Sequence, residues 1–505
     1  MGRLDGYVGN MEYVHDFCRE MSPAALNFVL TMQGIEPVPL EQGFTYCDLG
    51  CGQGLSTNLF ASCHPEGQFH AIDFNHSHIV GARRLADQAR LDNVTFREAA
   101  FDSLDKLNLP EFDFITLHGV YSWISAENRK HIVDFIRSNL KTGGAVYLSY
   151  NCLPGWSSIA PVRRLLVSCT DMAADLSEEQ INASVEFVGR MKSMNLAYFK
   201  NNPSSAGFFD QLSKRSRNYL AHEYFNQHWD QFYHADVVRD MSSAGLSFAC
   251  SATIGDNLDS LRFTLTEQQL LDSIKDPVQK ETVKDFAVNQ QFRRDVFTRR
   301  RNNPAQKSHQ GPLSLNRFAK IVAGEKDSIT LNSPRSETSF DPELFKYILR
   351  ALNEQHSSLE ELLQISEVAR FGSEKTYQAL MALLASGYIL PAADPPSKAL
   401  ISTALLNYAI LEQMIHNMEP QHLASPVVRS GIQLDWVQRL LLLCELTDCG
   451  EPFSFVSNVM YENNYALIKD GITLRSWDKN LEELDMQITA FHSDYLPLLK
   501  RLGVI

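Results

Sequence analysis

The chain is 505 residues long, with 44% hydrophobic and 21% charged residues and a formal net charge of −14. That length exceeds one ordinary core and predicts about three domains, while the apolar and charged fractions are those of a folded globular protein. The acidic excess excludes the broad positive footprint of a nucleic-acid binder.

The first predicted helix runs from Pro23 to Met32, with Ser22 as its cap and proline at the first helical position. Tyr7, Tyr13 and Phe17 precede it, an aromatic segment able to serve as a lid over a ligand or to cover a sheet edge. Residues 44–49 are mostly β-branched, aromatic or apolar and read as a buried strand. Gly50, Gly52 and Gly54 follow, then helical character over 55–62. Strand, glycine turn and helix make a loop whose backbone can approach a ligand beside a helix N-terminus. A dinucleotide fingerprint would require a third glycine where Leu55 stands, and no Gly-Lys-Ser/Thr follows to make a P-loop. A purely steric strand-to-helix turn is the alternative.

Strands are then predicted over 68–72, 94–96, 112–117 and 145–150, alternating with a helix from Asn75 to about Leu91 and another over 126–140. Such alternation predicts a doubly wound parallel sheet, which binds ligands at the carboxyl ends of its strands. Asp73 ends the second strand about twenty residues beyond the loop, where a carboxylate can accept hydrogen bonds from ribose hydroxyls; helix capping is its other reading. His118-Gly119-Val120-Tyr121-Ser122-Trp123 ends the fourth strand and Tyr150-Asn151-Cys152-Leu153-Pro154-Gly155-Trp156 the fifth. These two loops are expected to meet in one aromatic pocket suited to an amine or ammonium. Alternatively, Trp123 and Trp156 seal the top of the sheet.

Beyond the fifth strand, helices are predicted over 162–172, 177–197 and 207–220, a helical insertion that either caps the site or dimerises. A helix over 235–244 and a strand over 246–254 return to the core, and His222, Glu223 and Tyr224 are placed near the substrate channel. Residues 264–301 read as mainly helical, with Arg293, Arg294, Arg299, Arg300 and Arg301 as a solvated helix face. Three short helical patterns ending at Gly387-Tyr388-Ile389-Leu390 suggest a winged-helix-like unit, and the last hundred residues are helix-rich. The expected division is a core over 1–156, an insertion over 157–216, a return to the core over 217–262, a helical middle domain over 263–335, the winged-helix-like unit over 336–395 and a helical domain over 396–505. The nine cysteines read as reduced buried thiols. Cys47 with Cys51, and Cys444 with Cys449, have the wrong spacing for a zinc knuckle, and His76 and His78 lack partners, so no metal is expected. No apolar run nears the ~18 residues of a membrane span, and no signal segment opens the chain, so a cytoplasmic protein without membrane insertion is expected.

The run DLGCGQG, Asp73, HGVYSW and SYNCLPGW together resemble class I S-adenosylmethionine (SAM) methyltransferases with a methyltransferase regulatory domain. This group includes bacterial lysine methyltransferases of outer-membrane proteins. AHEYFNQHW and FRRDVF are similar to pieces of the group's middle region. The resemblance implies a Rossmann-like core, SAM as methyl donor and, in many members, a homodimer. It further implies that Gly50, Gly52 and Gly54 cradle the methionine part, with Asp48 as the acid of the loop motif and Asp73 as the ribose acid. Phe74 stands beside Asp73, and Tyr13 lies in the N-terminal segment over the cofactor. Many relatives carry an acid after the third strand where Ala99 and Ala100 stand, so Glu98, Phe101 and Asp102 are the alternatives for the adenine. His118 is assigned to both cofactor and chemistry. Tyr121, Trp123, Tyr150, Asn151 and Trp156 complete the catalytic set, with positioning by Tyr121, Trp123 and Trp156 placed ahead of a dedicated base. The expected acceptor is a protein lysine. A small-molecule amine or hydroxyl, or a SAM-binding regulator without turnover, are the alternatives.

Overall fold

A computed structural model describes residues 17–170, 176–299, 316–324, 340–415, 420–447 and 449–505. Tyr7, Tyr13, Arg300 and Arg301 lie outside these described residues. The centre is a seven-stranded sheet of order β3-β2-β1-β4-β5-β7-β6. Its strands are β1 (Phe44–Leu49), β2 (Gly67–Asp73), β3 (Val94–Glu98), β4 (Phe112–Leu117), β5 (Leu140–Asn151), β6 (Ser247–Ser251) and β7 (Phe292–Thr298). The first five pair in parallel, and β7 runs antiparallel between β5 and β6. This is a Rossmann-like methyltransferase fold, with its switch point between β1 and β4.

Helices α1 (Pro23–Met32) and α2 (Leu55–Cys63) pack on one face of the sheet, and α3 (His76–Gln88) follows β2. On the other, α4 (Ala126–Asn139) covers Ile115, Val146 and Leu148. Asn75 caps α3 by accepting from Ser77 N, as the sequence predicts. Ser22 does not cap α1: its hydroxyl donates to the Arg429 carbonyl, because the C-terminal half lies against this turn.

The insertion comprises α5 (Ala160–Ser168), α6 (Glu178–Ser193), α7 (Ala197–Asn201), α8 (Pro203–Leu212) and α9 (Arg217–Tyr224) around a separate apolar core. The chain re-enters through α10 (His234–Ser243) and β6, then makes α11 (Asp259–Arg262), α12 (Leu265–Ser273) and α13 (Pro277–Val288). The helical expectation for 264–301 fails at Phe292–Thr298, which is the central strand β7. Arg293 and Asp295 there face α13 and pair in the interior, so the charges that suggest a solvated helix are buried.

Further on, strands Arg317–Lys320, Ser357–Ser358 and Ile389–Ala392 form a small sheet beside helices Pro342–Glu354 and Ser373–Ala385, a winged-helix-like arrangement. Its core is continuous with that of α1, where Phe28 meets Phe318 edge-on at 6.3 Å. The last segment packs around helix Ser397–Gln413 and shares one core with Leu55, Leu59 and Cys63 of α2. Cys444 and Cys449 are disulfide-paired, which corrects the reduced reading for those two; the other seven cysteines are free thiols. Among the described residues no helix is long and apolar enough to cross a membrane.

Candidate active site

Every motif residue within the described segments falls at or near the carboxyl end of the sheet. The glycine loop is clamped to β2, since Gly50 N and Cys51 N both donate to the Ile72 carbonyl, at 2.8 and 3.1 Å. Positive φ values of 79°, 53° and 68° at Gly50, Gly52 and Gly54 put all three in backbone that side chains disfavour. Their surroundings differ. A Cβ on Gly50 would fall 2.5 Å from Val120 Cγ2, and one on Gly54 2.5 Å from Phe96 Cε1 and 2.6 Å from Ala82 Cβ. A Cβ on Gly52 would meet nothing within 4 Å, so this glycine presents bare backbone to open space.

Asp73 fixes that backbone. Its Oδ2 accepts from Gly52 N at 2.9 Å and its Oδ1 from Asn75 N at 2.8 Å. Each oxygen has a further lone pair, which matches the two hydroxyls of a ribose. Asp48 lies behind the loop at 2% exposure, accepting from Thr57 Oγ1 at 2.6 Å. Burial pushes its pKa up to about 6, although hydrogen bonds from Thr57 and Thr116 oppose the rise. Asp48 therefore braces α2 against β1 and β4 from below the loop. Phe74 is half-buried after β2; beyond β3, Ala100 and Asp102 are exposed and Phe101 half-buried, with Asp102 accepting from Ser103 Oγ.

At the ends of β4 and β5 the aromatic residues separate into different environments. His118 is half-buried; its Nδ1 lies 2.8 Å from Tyr147 Oη, and its ring stacks on Tyr147 and meets Phe292 edge-on. Tyr121 is fully buried and its hydroxyl donates to Asp240 of α10 at 2.7 Å, so its ring fills the interface with α10 and Phe232. Trp123 is 7% exposed, and its Nε1 has no partner among the described residues. Trp156 donates from Nε1 to the Gln291 carbonyl and is ringed by Phe208, Tyr224 and Trp229, the last at 5.0 Å. Tyr224 thus reaches the site's wall, while His222 is buried within α9 at 3% exposure.

Tyr150 is fully buried and donates to Asp295 Oδ2 at 2.6 Å. Asp295 also receives Arg293 Nε and His234 Nδ1, and Arg293 spans on to Asp285 and Glu281. Burial alone would raise Asp295, but Arg293, His234 and Tyr150 together hold it below the usual carboxylate range. This network anchors the end of β5, where Asn151 N donates to Ser122 Oγ and Asn151 O accepts from Phe232 N. Asn151 Nδ2 is buried with no partner among the described residues. Sequence reasoning missed Tyr147, Phe292, Trp229 and the buried network. Tyr147 and Phe292 read as ordinary strand residues, whereas the pairing of Trp229 with Trp156 needs the folded insertion.

The residues present fit a SAM-like cofactor: an open glycine backbone, a ribose-competent carboxylate tied to it, and orphaned buried donors at Trp123 and Asn151. Two families match the sequence, a methyltransferase domain over residues 40–201 and a predicted methyltransferase regulatory domain over 216–299. The uncharacterized protein sll1526 of Synechocystis sp. is 37% identical over 502 residues, covering 99% of both chains. RP789 of Rickettsia prowazekii, also uncharacterized, is 26% identical over 54% of this chain and 49% of its own. In fold, the chain is similar to PKMT2 from Rickettsia typhi, solved in complex with AdoHcy, at a TM-score of 0.71 and 18% identity over 97% of this chain and 100% of that one. The chain belongs to the SAM-dependent methyltransferases that carry a methyltransferase regulatory domain.

Proposed function

We propose that this enzyme N-methylates lysine side chains of a protein acceptor. The observation carrying the proposal is the wall of aromatic rings that Trp156, Trp229, Tyr224 and Phe208 build between β5 and the insertion. Aromatic faces attract an alkylammonium and orient it without a charged partner, while excluding water from the transfer. The full-length fold shared with PKMT2 from Rickettsia typhi supports a macromolecular acceptor over a small one.

SAM, when bound, supplies an electrophilic methyl on a sulfonium. Gly52 and its neighbours receive the methionine part against bare backbone, Asp73 accepts from the ribose hydroxyls, and Phe101 with Asp102 flanks the adenine. Trp156 and its neighbours orient the acceptor. Alignment of nucleophile and methyl carries most of the acceleration. The acceptor nitrogen must be neutral to attack, and His118, on the loop after β4, takes its proton.

The test is incubation with methyl-labelled SAM and host lysate, followed by fractionation and amino-acid analysis. Label is expected in protein, on methylated lysine. Label confined to the low-mass fraction, or to residues other than lysine, overturns the proposal.

A further inference from the structure

Residues that the motifs do not name run from His118 toward the surface. His118 Nδ1 lies 2.8 Å from Tyr147 Oη, Tyr147 Oη lies 3.4 Å from Cys18 Sγ, and Cys18 Sγ lies 3.4 Å from Glu20 Oε2. Glu20 is 30% exposed and stands 3.9 Å from Arg294 Nε. An ionised carboxylate only accepts, so the thiol proton of Cys18 points at Glu20. The sulfur must then accept from Tyr147, whose oxygen is left to accept from His118. We infer that Glu20, Cys18 and Tyr147 are positioning residues that fix His118 as its Nδ1–H tautomer, leaving Nε2 as the proton-accepting nitrogen. The inference rests on the assignment of His118 to proton removal, and it deepens that assignment.

The direction of the chain is set at one end only. Burial pushes both the Cys18 thiol and the Tyr147 hydroxyl well above their ordinary pKa values, so both keep their protons at neutral pH and act as donors. Glu20 is the one group in the row that accepts without donating. An imidazole with no such instruction can carry its proton on either nitrogen, and the wrong tautomer presents N–H where a lone pair is needed. In the transfer, the acceptor ammonium gives one proton to Nε2, and the freed lone pair forms the new nitrogen–carbon bond. The carbon–sulfur bond breaks with its electron pair going to sulfur, and the imidazolium releases its proton to water before the next turnover.

The test is long-range proton–nitrogen NMR of the full chain labelled with ¹⁵N-histidine, with the His118 signals identified by their loss in His118→Gln. The wild type is expected to show the proton on Nδ1. Cys18→Ala frees the Tyr147 hydroxyl to donate to His118 and should move the proton to Nε2, while Cys18→Ser, which preserves a donor and an acceptor, should restore Nδ1–H. A proton on Nε2 in the wild type, or no change in Cys18→Ala, overturns the inference. A SAM titration by calorimetry confirms that each variant is folded at the cofactor end. At saturating SAM with lysate protein as acceptor, Cys18→Ala should lose roughly ten- to a hundredfold in initial rate with SAM affinity within about twofold. If the tautomer behaves as expected but no lysate protein takes label, the acceptor assignment fails and the positioning chain stands.

Discussion

Two buried carboxylates stand below the two halves of the site, and they are handled in opposite ways. Asp48, under the glycine loop, is held by hydroxyls alone and its pKa rises to about 6. Asp295, under the acceptor end, is more deeply buried, yet Arg293, His234 and Tyr150 hold it below the usual range. The cofactor half is built from backbone and small groups, where one neutralisable acid suffices as a brace. The acceptor half hangs a bulky aromatic loop from β5 and needs a fixed, fully paired charge cluster to hold its end. A lone buried acid adapts by taking a proton; an acid inside a network keeps its charge and its geometry.

The contrast breaks most severely at Arg293. Arg293→Met leaves Asp295, Asp285 and Glu281 without their shared cation and should lower stability by about 3–5 kcal/mol, read from urea midpoints. At the other carboxylate the sign reverses. Asp48 binds its proton more tightly folded than unfolded, so its favourable share of stability is complete below its ordinary pKa near 3.8 and is lost as pH rises through about 6. Asp48→Asn should therefore gain on the wild type by about 2–3 kcal/mol between pH 4 and pH 7, measured as the difference in urea midpoints across that range.

Within the loop, two glycines separate packing from ligand approach. Gly54→Ala forces a Cβ onto Phe96 and Ala82 and should cost about 2–3 kcal/mol of stability. Gly52→Ala meets open space, so it should cost about 1 kcal/mol for its positive φ and show its main effect as a roughly tenfold loss of SAM affinity by calorimetry. The smallest effect on the fold is expected at Trp156, which is half-buried. Trp156→Ala should leave SAM affinity unchanged while cutting transfer to lysate protein about tenfold.

The same contrast explains what the sequence discloses. Glycines at positive φ and an acid at the end of β2 are local requirements, so the cofactor half and its five parallel strands were legible from motif and spacing. The acceptor half was legible only as a set of aromatic loops. Tyr121 looks like a wall residue until Asp240, on a helix more than a hundred positions away, claims its hydroxyl. β7 hides because Arg293, Arg294 and Asp295 look like surface until α13, α10 and β5 close around two of them. Charges neutralised by distant partners leave no periodic mark. Asp48 and Tyr147 show a related limit: the residue type was plain, but whether it faced the ligand or a neighbour depended on strands not adjacent in sequence.

Helix α2 carries the glycine loop at its start, and its outer face lies in the core of the last segment, where Leu55 and Leu59 pack with Leu406 and Ile410 and the Cys63 thiol reaches the Ser425 carbonyl. One helix thereby answers to two folding units. Whatever tightens the loop at its beginning stiffens the floor of the C-terminal segment, so donor occupancy should raise protection against hydrogen exchange in helix Ser397–Gln413 with no direct contact. The dependence runs both ways. A break in the distant segment loosens the loop, and the enzyme senses the integrity of its own C-terminal half through the grip it keeps on its donor.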